Sequence, residues 1–235
     1  MRTTLALLVV LLVALLTAVP ARADDSLGGE DLEVWTATFV QVAPDASPTG
    51  LRGWLDLHAR RNDAGAVGIV RPGVGWQLSP KVSVWGGYAW VPVDPDGADA
   101  TQEHRAWQQL TLQRTRPTLS LGLRVREEQR LRSGADGISH RLRVLPRLGL
   151  RLRGPLSLQV WDEVFVAWNE TDWFPVRGYD QNRLFVGPAI EGFRGFRVEV
   201  GYLNLDLARG DASTNHHAAA MNLFLAMAPP DRRGP

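Results

Sequence analysis

The chain has 235 residues, room for one all-β domain, with 45% hydrophobic residues and a formal net charge of +1. Asp+Glu (25) nearly match Lys+Arg (26), which excludes the unmatched basic stripe that nucleic-acid binding requires. With no cysteine there is no disulfide framework, thiolate metal site, cysteine nucleophile or lipidated N-terminal cysteine. Lys81 is the only lysine, so the cationic chemistry is that of arginine, always charged and capable of bidentate contacts.

In chain order, Met1-Arg2 gives a basic start, Leu5 to Val19 an apolar core, and Ala21-Arg22-Ala23 a small-x-small cleavage site. The pattern predicts a secretory signal over 1–23, its apolar core shorter than the roughly 20 residues of a spanning helix. The mature chain is then expected to be a single domain over 24–235. No later window is a helical span; what recurs is period-2 alternation. The expected strands begin with Val34–Val42, Leu51–Arg60, Val67–Leu78, Val82–Val91 and His104–Gln113. In the sixth, Leu119, Leu121, Leu123 and Val125 oppose Arg124, Arg126, Glu128 and Arg130. In the seventh, Leu142, Val144, Leu148, Leu150 and Leu152 oppose Arg141, Arg143, Arg147, Arg151 and Arg153. In the eighth, Leu156 to Val166 oppose Ser157, Gln159, Trp161, Glu163 and Ala167. Asn182–Ile190, Phe196–Leu207 and His217–Met227 complete the series. Each run is near the roughly ten residues that a tilted barrel strand needs to cross hydrocarbon.

Tight links are expected at Ser79–Lys81, Arg114–Pro117, Arg153–Pro155 and Phe193–Gly195, and longer polar ones at Asp94–Gln102, Ser133–Gly137, Glu170–Tyr179 and Ala208–Asn215. Short turns on one rim and long loops on the other are the pattern of outer-membrane barrels. The runs number eleven, whereas single-chain bacterial barrels have even counts, which leaves ten or twelve strands open. The expectation is an all-β, closed antiparallel up-and-down transmembrane β-barrel with short periplasmic turns and longer outer loops. It would lie in the bacterial outer membrane, with membrane lipid and the barrel-assembly machinery as partners.

Trp35, Trp54, Trp76, Trp90, Trp168, Trp173 and Tyr202 fall near strand ends, where a membrane protein places an aromatic belt. On the polar face, arginines need carboxylate partners if that face lines a narrow lumen. Asp56, Glu103, Glu128, Glu163, Glu191 and Glu199 stand at matching registers. The expected lumen or rim network comprises Glu103, Arg105, Arg124, Arg126, Glu128, Arg130, Arg141, Arg143, Glu163, Asp180, Asn182, Arg183 and Glu199.

Glu103-His-Arg105-Ala-Trp107-Gln-Gln, Arg124-x-Arg126-x-Glu128-x-Arg130, Asp162-Glu163, Asp180-Gln-Asn-Arg-Leu-Phe185 and Glu199-Val-Gly-Tyr202 follow an order and spacing that resemble the bacterial family known as domain of unknown function 2490. The resemblance runs over residues 33 to 227 and implies an outer-membrane-type β-barrel; it implies no activity. The Pro- and Arg-rich tail from Pro229 to Pro235, after Phe224 and Met227, departs from the terminal aromatic residue that outer-membrane barrels commonly carry.

No cofactor or metal is expected. His216-His217 lacks a third ligand, and neighbours on a strand diverge. A hydrolase would need Ser, His and acid at the outer rim; His58, His104 and His140 with Ser120 or Ser139 are the available groups, but Ser139 and His140 point to opposite faces. Asp162 falls on the outward register, which suggests a local bulge. Asp180 to Phe185, opening a strand after the longest loop, is either a rim hydrogen-bond cluster fixing that loop or a constriction or ligand-contact site with Arg183 facing inward. Three functions stay open: a passive pore selecting small anions weakly because inward Arg outnumber carboxylates, a structural or binding barrel with a plugged lumen, and a lipid-modifying enzyme. A soluble lipocalin-like barrel fits poorly, since its interior would be apolar.

Overall fold

The computed structural model describes residues 32–62, 64–192, 195–209 and 212–227. The expected signal segment and the Pro229–Pro235 tail lie outside them. Eleven strands form one closed barrel: β1 (Leu32–Val42), β2 (Gly50–Asn62), β3 (Gly65–Ser79), β4 (Val82–Pro95), β5 (Thr101–Thr115), β6 (Leu119–Arg132), β7 (Ser139–Arg153), β8 (Leu156–Ala167), β9 (Gly178–Glu191), β10 (Phe196–Arg209) and β11 (Ala212–Met227). Among the described residues no helix is long and apolar enough to cross a membrane.

The expected count of ten or twelve is corrected to eleven. Sequence neighbours pair antiparallel throughout, so with an odd number the first and last strands run the same way and can only close in parallel. They do, from Leu32↔His217 to Val42↔Met227. The inward rings of Phe39 and Phe224, opposite each other in this register, stack with centroids 4.8 Å apart. A slip of one residue would turn one ring outward, so the stack holds the seam in register.

The connections alternate as expected, with exceptions. One rim, the turn rim, carries 80–81, 116–118, 154–155 and 192–195; the other, the loop rim, carries 96–100, 133–138 and 168–177. The turn rim also holds the seven-residue link 43–49, and the loop rim holds the tight links 63–64 and 210–211. The loop expected at Ala208–Asn215 is therefore mostly strand: hydrogen bonding carries β10 to Arg209 and resumes β11 at Ala212.

Because side chains alternate across a pleated strand, the closed sheet sorts its residues into two populations. Outward stand Val74, Trp76 and Leu152, at 65, 52 and 60% exposure, amid many other large apolar side chains. Inward stand Asp56, Arg126 and Glu128, each at 0%. Two glycine pairs make room within the lumen. A Cβ on Gly87 would lie 2.3 Å from the Pro72 carbonyl oxygen and 2.7 Å from the Trp107 ring. One on Gly201 would lie 2.7 Å from the Gly187 Cα and 2.9 Å from the Phe185 ring. The bare backbone lets Trp107 and Phe185 lie flat against the barrel wall, fully buried.

Candidate functional site

The interior of the barrel is the candidate site. On the arc from β2 to β8 the inward registers bring arginines and carboxylates together. Glu128 of β6 accepts from Arg143 Nη1 at 2.6 Å and Arg141 Nη2 at 2.7 Å, with Arg71 and Arg105 at 3.7 and 3.8 Å. Glu163 of β8 accepts from Arg124 at 2.6 Å and Arg143 Nε at 2.9 Å, so Arg143 bridges two acids. Asp56 of β2 takes Arg71 at 3.0 Å and the Trp54 indole at 3.2 Å. Toward the loop rim, Glu103 holds Arg105 and Arg130, and Asp180 takes Arg141 Nη1 at 3.1 Å. Glu199 of β10 pairs across the lumen with Arg147 of β7. Lone charges in such a place would cost several kcal/mol each; shared partners make the layer tolerable.

Of the residues expected in the network, twelve face inward: Glu103, Arg105, Arg124, Arg126, Glu128, Arg130, Arg141, Arg143, Glu163, Asp180, Arg183 and Glu199. Asn182 does not. It stands on the outer face, donating to Asp162 at 2.7 Å. That contact is also how Asp162 stays outward without the suggested bulge at its own position; the register shift comes later, between Phe165 and Val166, and sends both Asp180 and Gln181 inward. Arg183 faces the lumen, as one of the two readings of its run had it. Glu191 sits at the turn rim, 3.4 Å from Arg151.

Sequence reasoning missed much of the aromatic content. Trp35 and Trp54, expected in a boundary belt, face inward with Trp85, Trp107 and Trp161, while Trp76 and Trp90 face outward. Guanidiniums stack on the inner rings: Arg126 on Trp107 at 4.6 Å, and Arg143 and Arg183 on Phe165 at 4.5 and 4.4 Å. Indole and phenyl faces attract cations, which explains aromatic residues inside a polar lumen. Arg60, Arg71, Arg147 and Arg197 also belong to the interior. Their signal was available, since they share the inward parity of neighbouring acids on β2, β3, β7 and β10.

Two cavities lie among the described residues of the interior. The larger, about 630 Å³, opens toward the turn rim; the smaller, about 350 Å³, lies toward the loop rim. Trp35, Arg60, Arg143 and Arg183 line both and form the waist between them. The 168–177 loop folds over the smaller cavity: Trp173 donates to the Gly137 carbonyl, and Phe174 lies 4.3 Å from the Arg130 guanidinium.

The outer face changes character along the axis. Toward the turn rim it is apolar, with Val74, Trp76, Leu78, Leu152 and Phe196; toward the loop rim it carries hydrogen-bonded pairs, among them Tyr88–His104, Gln108–Gln129, Tyr179–Asp206 and Tyr202–His217. Ser133 Oγ lies 3.3 Å from His104 Nε2. The same Tyr–His arrangement recurs at Tyr202–His217, so the pairing reads as part of the girdle. His58 is inward beside Asp56, and Ser139 is buried in the lumen. Among the described residues no three His, Asp or Glu side chains group as a metal site.

Comparison with known proteins names a family and no activity. The family described as "Protein of unknown function (DUF2490)" matches residues 32–215. An uncharacterised protein of Methylorubrum extorquens is 33% identical over 163 residues, covering 67% of this chain and 71% of its own length. No solved structure matches.

Proposed function

Since the chain belongs to the DUF2490 family of proteins of unknown function, we propose for it a role that its radial chemistry supports: a bacterial outer-membrane barrel providing a narrow passive route for small anions. One observation carries the reading. Large apolar side chains face out while buried arginines and carboxylates face in, the reverse of a soluble barrel. Every strand is paired on both sides, so the wall leaves no open edge to hydrocarbon. A fourteen-residue strand such as β9, at about 3.3 Å per residue and ~40° tilt, rises about 35 Å. That exceeds the ~25 Å apolar band of such barrels, and the hydrogen-bonded girdle occupies the excess near the loop rim. The loop rim then faces outward, with lipid and the barrel-assembly machinery as partners.

For solute, the path runs between the two cavities through the waist, where unpaired guanidiniums favour anions. The fully buried layer around Glu128 supports the second reading, a barrel plugged across this arc. Purified protein is expected to migrate differently on a detergent gel before and after boiling; recovery wholly in a soluble periplasmic fraction overturns the membrane reading. In planar bilayers, small anion-selective steps are expected, and silence at high salt leaves the plugged barrel.

A further inference from the structure

We propose that the waist binds the anionic head of a small organic acid, whose apolar body lies against the aromatic wall of the larger cavity. The inference goes beyond solute passage and stands whether or not the barrel conducts, because it rests on the interior alone.

Most cations in the lumen have an acid; two at the waist do not. Among the described residues Arg60 of β2 and Arg183 of β9 make no ion pair. Arg60 lies 3.8 Å over the Trp35 ring, and its Nε is buried without a hydrogen-bond partner. Arg183, over nine-tenths buried, lies 4.8 Å from the same ring and donates through Nε and Nη2 to a neutral amide, Gln181 Oε1. Arg60 and Arg183 line the same waist beside a third guanidinium, Arg143, whose own acids are Glu128 and Glu163. Like charges held together away from water repel, and an anion between them relieves the repulsion. Guanidinium forks match carboxylate geometry.

The wall next to this pair selects the body. Phe39, Trp54 and Phe224 line the larger cavity as one run of touching rings, Phe39 stacking on Phe224 and meeting Trp54 edge-on at 6.2 Å. Arg147 and Arg197 already cover part of Phe224, at 5.2 and 4.1 Å, and a bare inorganic anion would leave the rest of that surface unused. At about 630 Å³ the space suits a compact organic molecule.

Benzoate is the probe, with benzyl alcohol as its uncharged counterpart and chloride as the bare anion, titrated calorimetrically into folded detergent-solubilised protein. Saturable benzoate binding is expected, with benzyl alcohol at least tenfold weaker. Arg60→Gln and Arg183→Gln, each still shifting on heating, should each weaken benzoate at least tenfold, while Arg52→Gln, at the exposed turn rim, should leave it unchanged. Equal affinity for benzyl alcohol, chloride binding without benzoate binding, or unchanged affinity in both arginine variants overturns the proposal. Should neither arginine variant fold, Trp35→Phe decides: loss of benzoate-induced fluorescence quenching supports the site, and persistence of the wild-type quench overturns it. Conductance is read separately, so its absence leaves this test intact.

Discussion

Glu128 carries more of the interior than any other acid, because five guanidiniums lie within reach of its two oxygens: Arg71, Arg105, Arg126, Arg141 and Arg143. Removing one partner of a buried ion pair leaves an uncompensated charge, a loss of about 3–5 kcal/mol. Glu128→Gln is therefore expected to lower the unfolding free energy of the folded barrel, read by urea titration, by that order. Glu127→Gln, one residue away on the outer face beside His140, should change stability by less than about 1 kcal/mol. Equal effects would contradict the assignment of faces. A steric prediction belongs to the same scale. Gly87→Ala places a methyl group into the Pro72 carbonyl and the Trp107 ring. Backbone cannot retreat as a flexible side chain can, so a loss of the order of 1–3 kcal/mol or more is expected, read from the unfolding midpoint.

The parallel seam is the element on which closure depends. All other neighbours are consecutive in the chain and pair as antiparallel hairpins, whereas β1 and β11 meet only after the whole chain is laid down. Parallel pairing is slightly weaker per residue than antiparallel, and the Phe39–Phe224 stack supplies a side-chain lock. Ala37 and Asn222 oppose each other on the inward face of this seam. In a chain with no native cysteine, Ala37→Cys with Asn222→Cys is expected to crosslink on mild oxidation of the folded barrel. Ala37→Cys with Met221→Cys, one register off and facing outward, should not. Failure of the first pair and success of the second would mean a different seam.

At the scale of the whole molecule, the inverted radial distribution makes stability depend on the surrounding solvent. Val200, 53% exposed on β10, stands among outward apolar side chains. Val200→Arg is expected to cost about 2–4 kcal/mol when the barrel folds into a bilayer, since a charge there meets hydrocarbon. In water an exposed substitution of this kind stays within about ±0.5 kcal/mol. Denaturant titration of the variant in lipid vesicles reads the difference, and a neutral result would place this face against water.

Much of this was legible in the chain. Leu142, Val144 and Leu148 against Arg141, Arg143 and Arg147 declare two faces by themselves, because the pleat alternates side chains whatever the partner strand is. The inward assignment of the acids and arginines and the tight links near residues 80, 117, 154 and 194 follow from the same local geometry. The closing rule was a different matter. Eleven runs were visible, but whether β1 joins β11 depends on the curvature of the whole sheet, and parity alone pointed to ten or twelve. Pairing inside the lumen was equally out of reach: Arg147 meets Glu199 and Arg183 reaches the Trp35 ring across the barrel, between strands that are neither adjacent nor consecutive. Trp35 and Trp54 were misplaced because strand-end position marks a belt only when the side chain faces outward, and parity overrides position. Alternation, a property of the backbone at each residue, was written in the sequence; closure, cross-lumen contacts and the cation-rich waist arose only once the sheet curled and brought distant strands face to face.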